Sequence, residues 1–131
     1  MNPAPTTNPY KGRTGLDRIL HAAGYSWSGL RAAYRNESAF RQETWLFVAT
    51  LPLAVGLGRS WLEVLLLAGS VWLVLIVELL NSAVEAVVDR VSLEPNELAG
   101  RAKDFGSAAV LLTLTFTACV WLTITWQRFF A

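Results

Sequence analysis

Two glutamates in an otherwise apolar stretch are the residues best placed to do chemistry. Glu85 follows Glu78 by seven positions, so on an α-helix their side chains lie about 20° apart around the axis and about 10 Å apart along it. Ser82 and Asp89 fall on the same face, with Asn81 at its edge. A carboxylate in such apolar surroundings is costly unless it faces protein, water or a cation. The spacing therefore predicts a polar helix face that other helices cover.

This polar face has three interpretations that spacing alone does not separate. Mg²⁺ is a hard ion that is usually held by one or two carboxylates together with substrate phosphates. A poorly hydrated carboxylate also suits the role of general base. The third interpretation is structural, with the polar groups only holding helices together through hydrogen bonds. The functional interpretations are favoured, because an Asn or Ser would link helices with a smaller desolvation cost than a carboxylate.

Further charged residues lie near the ends of this region. Lys103, between Arg101 and Asp104, either neutralises a transferring phosphoryl group or is a basic residue at the lipid head groups. Glu37 precedes Arg41 by four positions, which also allows a simple surface ion pair on a helix.

The elements that carry these residues are predicted to be membrane helices. Apolar residues make up 53% of the chain and charged residues only 16%, and residues 105–127 are 23 consecutive positions without a charge. That run excludes an ordinary soluble fold. We predict spans at about 44–59, 61–90 and 105–127, an amphipathic surface helix at about 15–43 with a bend near residues 24–29, and a mobile Pro-rich tail at residues 1–14. Residues 15–131 then form a single membrane domain.

Charge and composition narrow the class further. Six of the 11 Lys and Arg residues precede the first predicted span, and three lie between the end of the second span and the start of the third: Arg90, Arg101 and Lys103. This asymmetry predicts a cytoplasmic amino terminus and an active face on the cytoplasmic side. A net charge of +1 does not favour nucleic-acid binding, and a single cysteine, Cys119, excludes an internal disulfide framework. No P-loop or protein-kinase signature occurs, so any nucleotide site must be built between helices.

Several sequence blocks resemble the small integral-membrane diacylglycerol kinases of bacteria. The amino-terminal blocks are AAGYSW at 22–27, GLRAA at 29–33 and AFRQE at 39–43. The most specific blocks are ELLNSAVEAVVD at 78–89 and AGRAKD at 99–104. The resemblance extends from about Arg18 to the end of the chain.

The resemblance implies a homotrimer in the bacterial inner membrane, with three spanning helices per chain, that transfers the ATP γ-phosphoryl group to diacylglycerol. It implies that Glu78 is the catalytic base and that Glu37 and Glu85 hold Mg²⁺. Asn81 and Lys103 are the other implied catalytic residues, Asn81 because it helps to fix the polar face and Lys103 because it lies at the phosphates. The implied nucleotide contacts are Arg18, Tyr25, Glu37, Glu85, Glu94, Asn96, Lys103 and Asp104. The implied lipid contacts are Ala22, Ala23, Trp27, Arg31, Tyr34, Ala39, Glu43, Glu78 and Ser107.

Three other functions compete with this one. The nearest is a kinase of the same architecture that phosphorylates undecaprenol, which is also a membrane-soluble alcohol. A small ion or proton carrier would use the face from Glu78 to Asp89 as a conduction path. A purely structural membrane subunit would need none of these carboxylates.

Overall fold

The chain folds into four α-helices in a computed structural model, which describes residue 12, residues 14–91 and residues 94–131. The helices are α1 (Gly15–Asn36), α2 (Ser38–Leu57), α3 (Trp61–Val91) and α4 (Glu97–Phe130). The protein is thus all-helical in the part that the structure describes. Most of the predicted Pro-rich tail, residues 1–11 and residue 13, lies outside the described residues. The chain divides into two compact units, Met1–Ala32 and Ala33–Ala131.

Helix α1 is continuous where the sequence predicts a bend. Gly24, Ser26 and Gly29 all lie inside it, so the predicted bend near residues 24–29 is wrong. A glycine in a helix interior costs only about 1 kcal/mol relative to alanine. The Ser26 hydroxyl donates to the Ala22 carbonyl at 2.9 Å, so it is satisfied within the helix rather than breaking it.

The helical path breaks instead at Glu37. This residue has extended backbone angles (φ −104°, ψ 110°) and occupies the N-cap position of α2. Its backbone N–H still donates to the Ala33 carbonyl at 2.8 Å, so the break is a single-residue corner. The Glu37 carboxylate makes no capping hydrogen bond to α2.

Local capping explains where α3 and α4 begin. The Ser60 hydroxyl accepts from the Glu63 N–H at 3.2 Å, and the Glu63 carboxylate accepts from the Arg59 N–H at 2.7 Å. This arrangement closely resembles a capping box. At the start of α4 the Asn96 side-chain oxygen accepts from the N–H groups of Leu98 and Ala99, so α4 begins about two turns before the uncharged run of residues 105–127.

In the second unit α3 packs against both α2 and α4. The buried core joins Ala54, Leu67 and Ile124, one from each helix. Two side chains of α4 also donate hydrogen bonds to carbonyls of α3: Thr117 to Ser70 at 3.0 Å and Trp121 to Leu67 at 3.1 Å. Such bonds between helices fix the rotation of one helix against the next. As a result, the face of α3 that carries Glu78 and Glu85, which we call the glutamate face, has a defined set of neighbours.

Two of the described helices are long and apolar enough to cross a membrane. They are α3, in which a window of 18 residues has a mean hydropathy of 2.3, and α4, in which such a window has 1.9. Helix α2 has only 20 residues and carries Arg41 and Glu43 near its start, and it does not meet the same criterion.

Candidate functional site

Glu78 is the centre of the candidate site. Its side chain is only 7% exposed, and among the described residues it is the only charged side chain in the buried class. Its Oε2 atom is buried and has no hydrogen-bond partner in the described part of the chain. Burying an ionisable group in this way is unfavourable unless a ligand or a proton satisfies it.

Glu85 and Asn81 lie on the same helix beside Glu78. The Asn81 amide Nδ2 donates to Glu85 Oε1 at 3.1 Å, one turn along α3. This bond orients the Glu85 carboxylate and leaves its second oxygen, Glu85 Oε2, for another partner. The charges of Glu85 and Glu37 lie close enough to Glu78 to repel it. Glu37, at the corner before α2, thus lies near the α3 face that carries Glu78 and Glu85.

Helix α2 contributes Glu43, one residue before the first predicted span. Burial, and secondarily the negative charge of Glu78, raise the pKa of Glu43 to about 7. Its Oε2 atom is also buried without a hydrogen-bond partner in the described residues. We call Glu37, Glu43, Glu78 and Glu85 the carboxylate cluster.

The carboxylate cluster offers oxygen donors suited to Mg²⁺. In the described residues no group of three or more His, Cys, Asp or Glu side chains is arranged to hold a metal ion. The cluster is therefore not a complete protein cage. Mg²⁺ usually takes one or two carboxylates and completes its shell with water and substrate phosphates, so a Glu37 and Glu85 pair fits the ion chemically. The two unpartnered carboxylate oxygens nearby show that the cluster still has acceptor capacity.

A second feature is a cavity of about 430 Å³ beside the turn between α3 and α4. Its polar lining residues are Asp89, Glu94, Asn96 and Lys103. We call it the turn cavity. Gly100 also lines it, so little side-chain bulk obstructs that wall. Among the predicted nucleotide residues, Glu94, Asn96 and Lys103 are thus brought together.

Lys103 connects the turn cavity with the carboxylate cluster. Its ammonium forms an ion pair with Asp89 at 2.5 Å. The hydrogen bond to Asp89 raises the pKa of Lys103, as do the charges of Asp89 and Glu85, against a smaller opposing effect of desolvation. Lys103 is therefore a persistent positive charge that lines the turn cavity and lies near the charge of Glu85. The sequence places Asp89 and Lys103 near each other but does not predict that they pair.

Asn96 has a structural role that its position in the sequence does not reveal. Its side-chain oxygen caps α4 through bonds of 2.8 Å to Leu98 N–H and 3.4 Å to Ala99 N–H. Only its amide NH₂ therefore remains available toward a ligand. Pro95 lines the turn cavity beside it and has no N–H to offer.

The remaining predicted residues lie on α1, α2 and α4. Asp104 and Ser107 are exposed on α4, and Ala39 is exposed on α2. The Tyr34 hydroxyl, near the end of α1, accepts a hydrogen bond from the Trp45 indole at 3.0 Å. Six others are exposed on the part of α1 that belongs to the first unit: Arg18, Ala22, Ala23, Tyr25, Trp27 and Arg31.

Arg41 is a residue whose role the sequence analysis misses. One guanidinium nitrogen donates to the Tyr34 carbonyl at 3.0 Å and to the Arg35 carbonyl at 3.3 Å. It therefore binds the last turn of α1 instead of pairing with Glu37. The residue spacing alone indicates an i to i+4 ion pair, and only the corner at Glu37 brings the carbonyls within reach.

Comparison with known proteins identifies the family. A family model described as prokaryotic diacylglycerol kinase matches residues 24–125, which include the whole carboxylate cluster and the turn cavity. The chain belongs to the prokaryotic diacylglycerol kinase family. The resemblance drawn from the sequence blocks is confirmed. Membership of this family and two sufficiently apolar helices make the chain a bacterial membrane protein.

Named relatives extend over nearly the whole chain. It is 52% identical over 116 residues to the diacylglycerol kinase of Escherichia coli (strain K12), covering 88% of this chain and 95% of the relative. It is 53% identical over 117 residues to the diacylglycerol kinase of Pseudomonas aeruginosa, covering 89% and 95%. The diacylglycerol kinase of Helicobacter pylori is 41% identical over 107 residues, covering 82% and 84%.

Proposed function

We propose that this prokaryotic diacylglycerol kinase transfers the γ-phosphoryl group of ATP to the free hydroxyl of diacylglycerol and produces phosphatidic acid. The observation that carries the residue-level proposal is the buried Glu78 carboxylate with its unpartnered Oε2. Family membership and the names of the relatives support diacylglycerol as the acceptor.

Glu78 acts as the general base. Its unpartnered oxygen takes the proton of the lipid hydroxyl while that oxygen forms a bond to the γ-phosphorus. The bond between the γ-phosphorus and the bridging oxygen breaks, and ADP leaves with the electron pair. General-base assistance of this kind contributes about 10²- to 10⁴-fold in rate.

Glu37 and Glu85 hold Mg²⁺ together with the nucleotide phosphates. The ion supplies charge neutralisation for the phosphates when it is bound. Asn81 keeps the Glu85 carboxylate oriented through its 3.1 Å hydrogen bond. The repulsion among Glu37, Glu78 and Glu85 supports this role, because a cation would relieve it.

Lys103 and the turn cavity bind the phosphates and the rest of the nucleotide. The Lys103 ammonium pairs with Asp89 and lies near the charge of Glu85, and a polyphosphate can replace part of the Asp89 contact. Asp104, Glu94 and the Asn96 amide add further nucleotide contacts within this unit. The family resemblance separately predicts nucleotide contacts for Arg18 and Tyr25.

The lipid approaches the carboxylate cluster from the side of the helices that faces the bilayer. Glu43 lies beside Glu78 and, in its protonated form, donates a hydrogen bond to the lipid. The remaining lipid contacts come from Ala22, Ala23, Trp27, Arg31, Tyr34, Ala39 and Ser107. This arrangement brings a membrane-embedded alcohol to a water-exposed nucleotide without taking either out of its own phase.

The enzyme is a homotrimer in the inner membrane, with three spans per chain, a cytoplasmic amino terminus and a cytoplasmic active face. Large apolar side chains are exposed on all three helices of the second unit, including Leu53, Leu65 and Leu112. Lipid and neighbouring chains would cover such a surface. The distribution of Lys and Arg supports the orientation.

A lipid-substrate assay tests the proposed function. The purified protein in mixed micelles receives γ-labelled ATP and Mg²⁺ with either diacylglycerol or undecaprenol. We expect labelled phosphatidic acid, and no product when Mg²⁺ is chelated. Preferential labelling of undecaprenol would contradict the acceptor. Ion flux across vesicles without ATP and without any lipid product would favour a carrier instead.

A further inference from the structure

Helix α4 packs closely against the α3 face that carries Glu78 and Glu85 at Gly106. A Cβ atom built at Gly106 would overlap the Oδ1 atom of Asn81 and lie 3.1 Å from its Cγ. The three nearest atoms within 4 Å of that position all belong to Asn81. The space that a side chain would need at residue 106 is therefore already filled by the Asn81 amide.

The orientation of the Asn81 amide follows from its two neighbours. Glu85 Oε1 can only accept, so the Asn81 NH₂ group must face it, at 3.1 Å. The carbonyl oxygen must then point the other way, toward α4, where Oδ1 is buried without a hydrogen-bond partner in the described part of the chain. Only a glycine leaves room for that oxygen at this point of α4.

We propose that Gly106 is a positioning residue for the phosphoryl transfer. Its missing side chain holds open the space for the Asn81 amide, and that amide fixes the Glu85 carboxylate next to Glu78. Any side chain at residue 106 forces Asn81 to rotate, which breaks the bond to Glu85. The inference rests on the proposed function, because it assigns a purpose to the Glu85 orientation.

Helix propensity alone predicts that replacing Gly106 by alanine stabilises the protein, which is the opposite of what the steric conflict predicts. Alanine is a better helix former than glycine, so Gly106→Ala without a steric conflict would leave the protein equally or more stable. Gly69 offers the matched control, since it lies inside α3 and nothing lies within 4 Å of its Cβ position. Gly69→Ala therefore reports helix propensity alone.

The test is a double-mutant cycle with Gly106→Ala, Asn81→Ala and the variant that carries both, alongside Gly69→Ala. Thermal unfolding in metal-free detergent and the steady-state kcat and KM for diacylglycerol are measured for each. We expect each single variant at residues 81 and 106 to lose about 10- to 100-fold in kcat, as is typical when a partner that orients a ligand is removed, with KM for the lipid nearly unchanged. The combined variant should lose no more than either one.

Thermal unfolding separates this inference from the proposed function. We expect Gly106→Ala to lower Tm by a few degrees, and we expect no such loss when it is introduced into the Asn81→Ala protein. If Gly106→Ala alone fails to fold while the combined variant folds, the inference is supported. Additive losses in Tm or in kcat would overturn it, as would coupling in Tm without coupling in kcat. An inactive wild-type protein would contradict both the proposed function and the positioning role. In that case, non-additive effects of the substitutions at residues 81 and 106 on Tm would still establish the steric conflict between these two residues.

Discussion

At the scale of single residues, the proposed chemistry depends on carboxylates placed where water is scarce. Glu78 is buried beside Glu85 and within reach of the charges of Glu37 and Glu43. Four acidic groups in one region destabilise the protein, because the charges of Glu37, Glu43 and Glu85 all lie near Glu78 and none of the four is fully hydrated. A cation and a transferable proton both relieve that repulsion. The arrangement is thus better suited to binding and proton transfer than to holding helices together.

Lys103 should act on the nucleotide more than on the lipid. Replacing it by Gln removes the only positive charge on the turn cavity among the described lining residues. Hydrogen bonds to charged groups contribute about 1.5–3 kcal/mol, so we expect Lys103→Gln to raise the KM for ATP by about 10- to 100-fold. The KM for diacylglycerol should change little. Steady-state kinetics with each substrate varied in turn measure both.

Arg101→Gln is the matched control for Lys103→Gln. Arg101 lies two residues earlier on α4 and pairs with the exposed Glu97, outside the turn cavity. Surface ion pairs of this kind contribute little, so its kinetics should match those of the wild type. An equal effect of both substitutions would mean that Lys103 acts only through general surface charge.

At the scale of the elements, the corner between α1 and α2 decides where Glu37 lies. Arg41 holds the Tyr34 and Arg35 carbonyls, and Trp45 donates to the Tyr34 hydroxyl. Both side chains project from the first two turns of α2 and contact the last turn of α1. Glu37 is the single extended residue between the helices, so these contacts fix the backbone on both sides of it.

Loosening this corner should weaken the use of Mg²⁺. We expect Arg41→Gln to lower Tm by a few degrees and to raise the Mg²⁺ concentration needed for half-maximal activity, because Glu37 loses its fixed position. Arg35→Gln is the control, since the corner uses the Arg35 carbonyl and not its side chain. A Mg²⁺ titration of both variants decides the question. Wild-type Mg²⁺ dependence in Arg41→Gln would show that the corner does not position a metal ligand.

The elements also show what a sequence can and cannot predict. The uncharged runs and the seven-residue spacing of Glu78 and Glu85 predict long apolar helices with one polar face, because helix periodicity is a local property. The corner at Glu37 is missed because Gly24 and Gly29 are the stronger local breaking signals, although a helix tolerates both. The contacts of Arg41 and of Gly106 depend on how separate helices meet. No local pattern carries that information.

At the scale of the whole molecule, one chain encloses its carboxylate cluster only in part, because Glu78 is buried while Glu37, Glu43 and Glu85 are partly exposed. Among the described residues only seven hydrophobic side chains are buried, whereas large apolar residues are exposed along α2, α3 and α4. Lipid can cover part of this surface. Further copies of the chain can cover the rest and shield the carboxylate cluster from the bilayer.

We therefore predict that the active species is a trimer. Native mass spectrometry of the detergent-solubilised protein should give three times the 14.4 kDa of one chain. The same sample should form phosphatidic acid, so that mass and activity are read from one preparation. A stable monomer with full specific activity would contradict the trimer and would require each chain to complete its own site.

The most direct test of the account is the rate of phosphatidic acid formation by Glu78→Gln, with Glu97→Gln as the control for loss of one exposed carboxylate. Glutamine keeps the shape of the side chain but accepts a proton poorly, so we expect kcat to fall at least about 100-fold. Tm should be equal to or above that of the wild type, because a buried charge is removed. Glu97→Gln should retain wild-type kcat. A folded Glu78→Gln protein with wild-type kcat would contradict the assignment of Glu78 as the catalytic base.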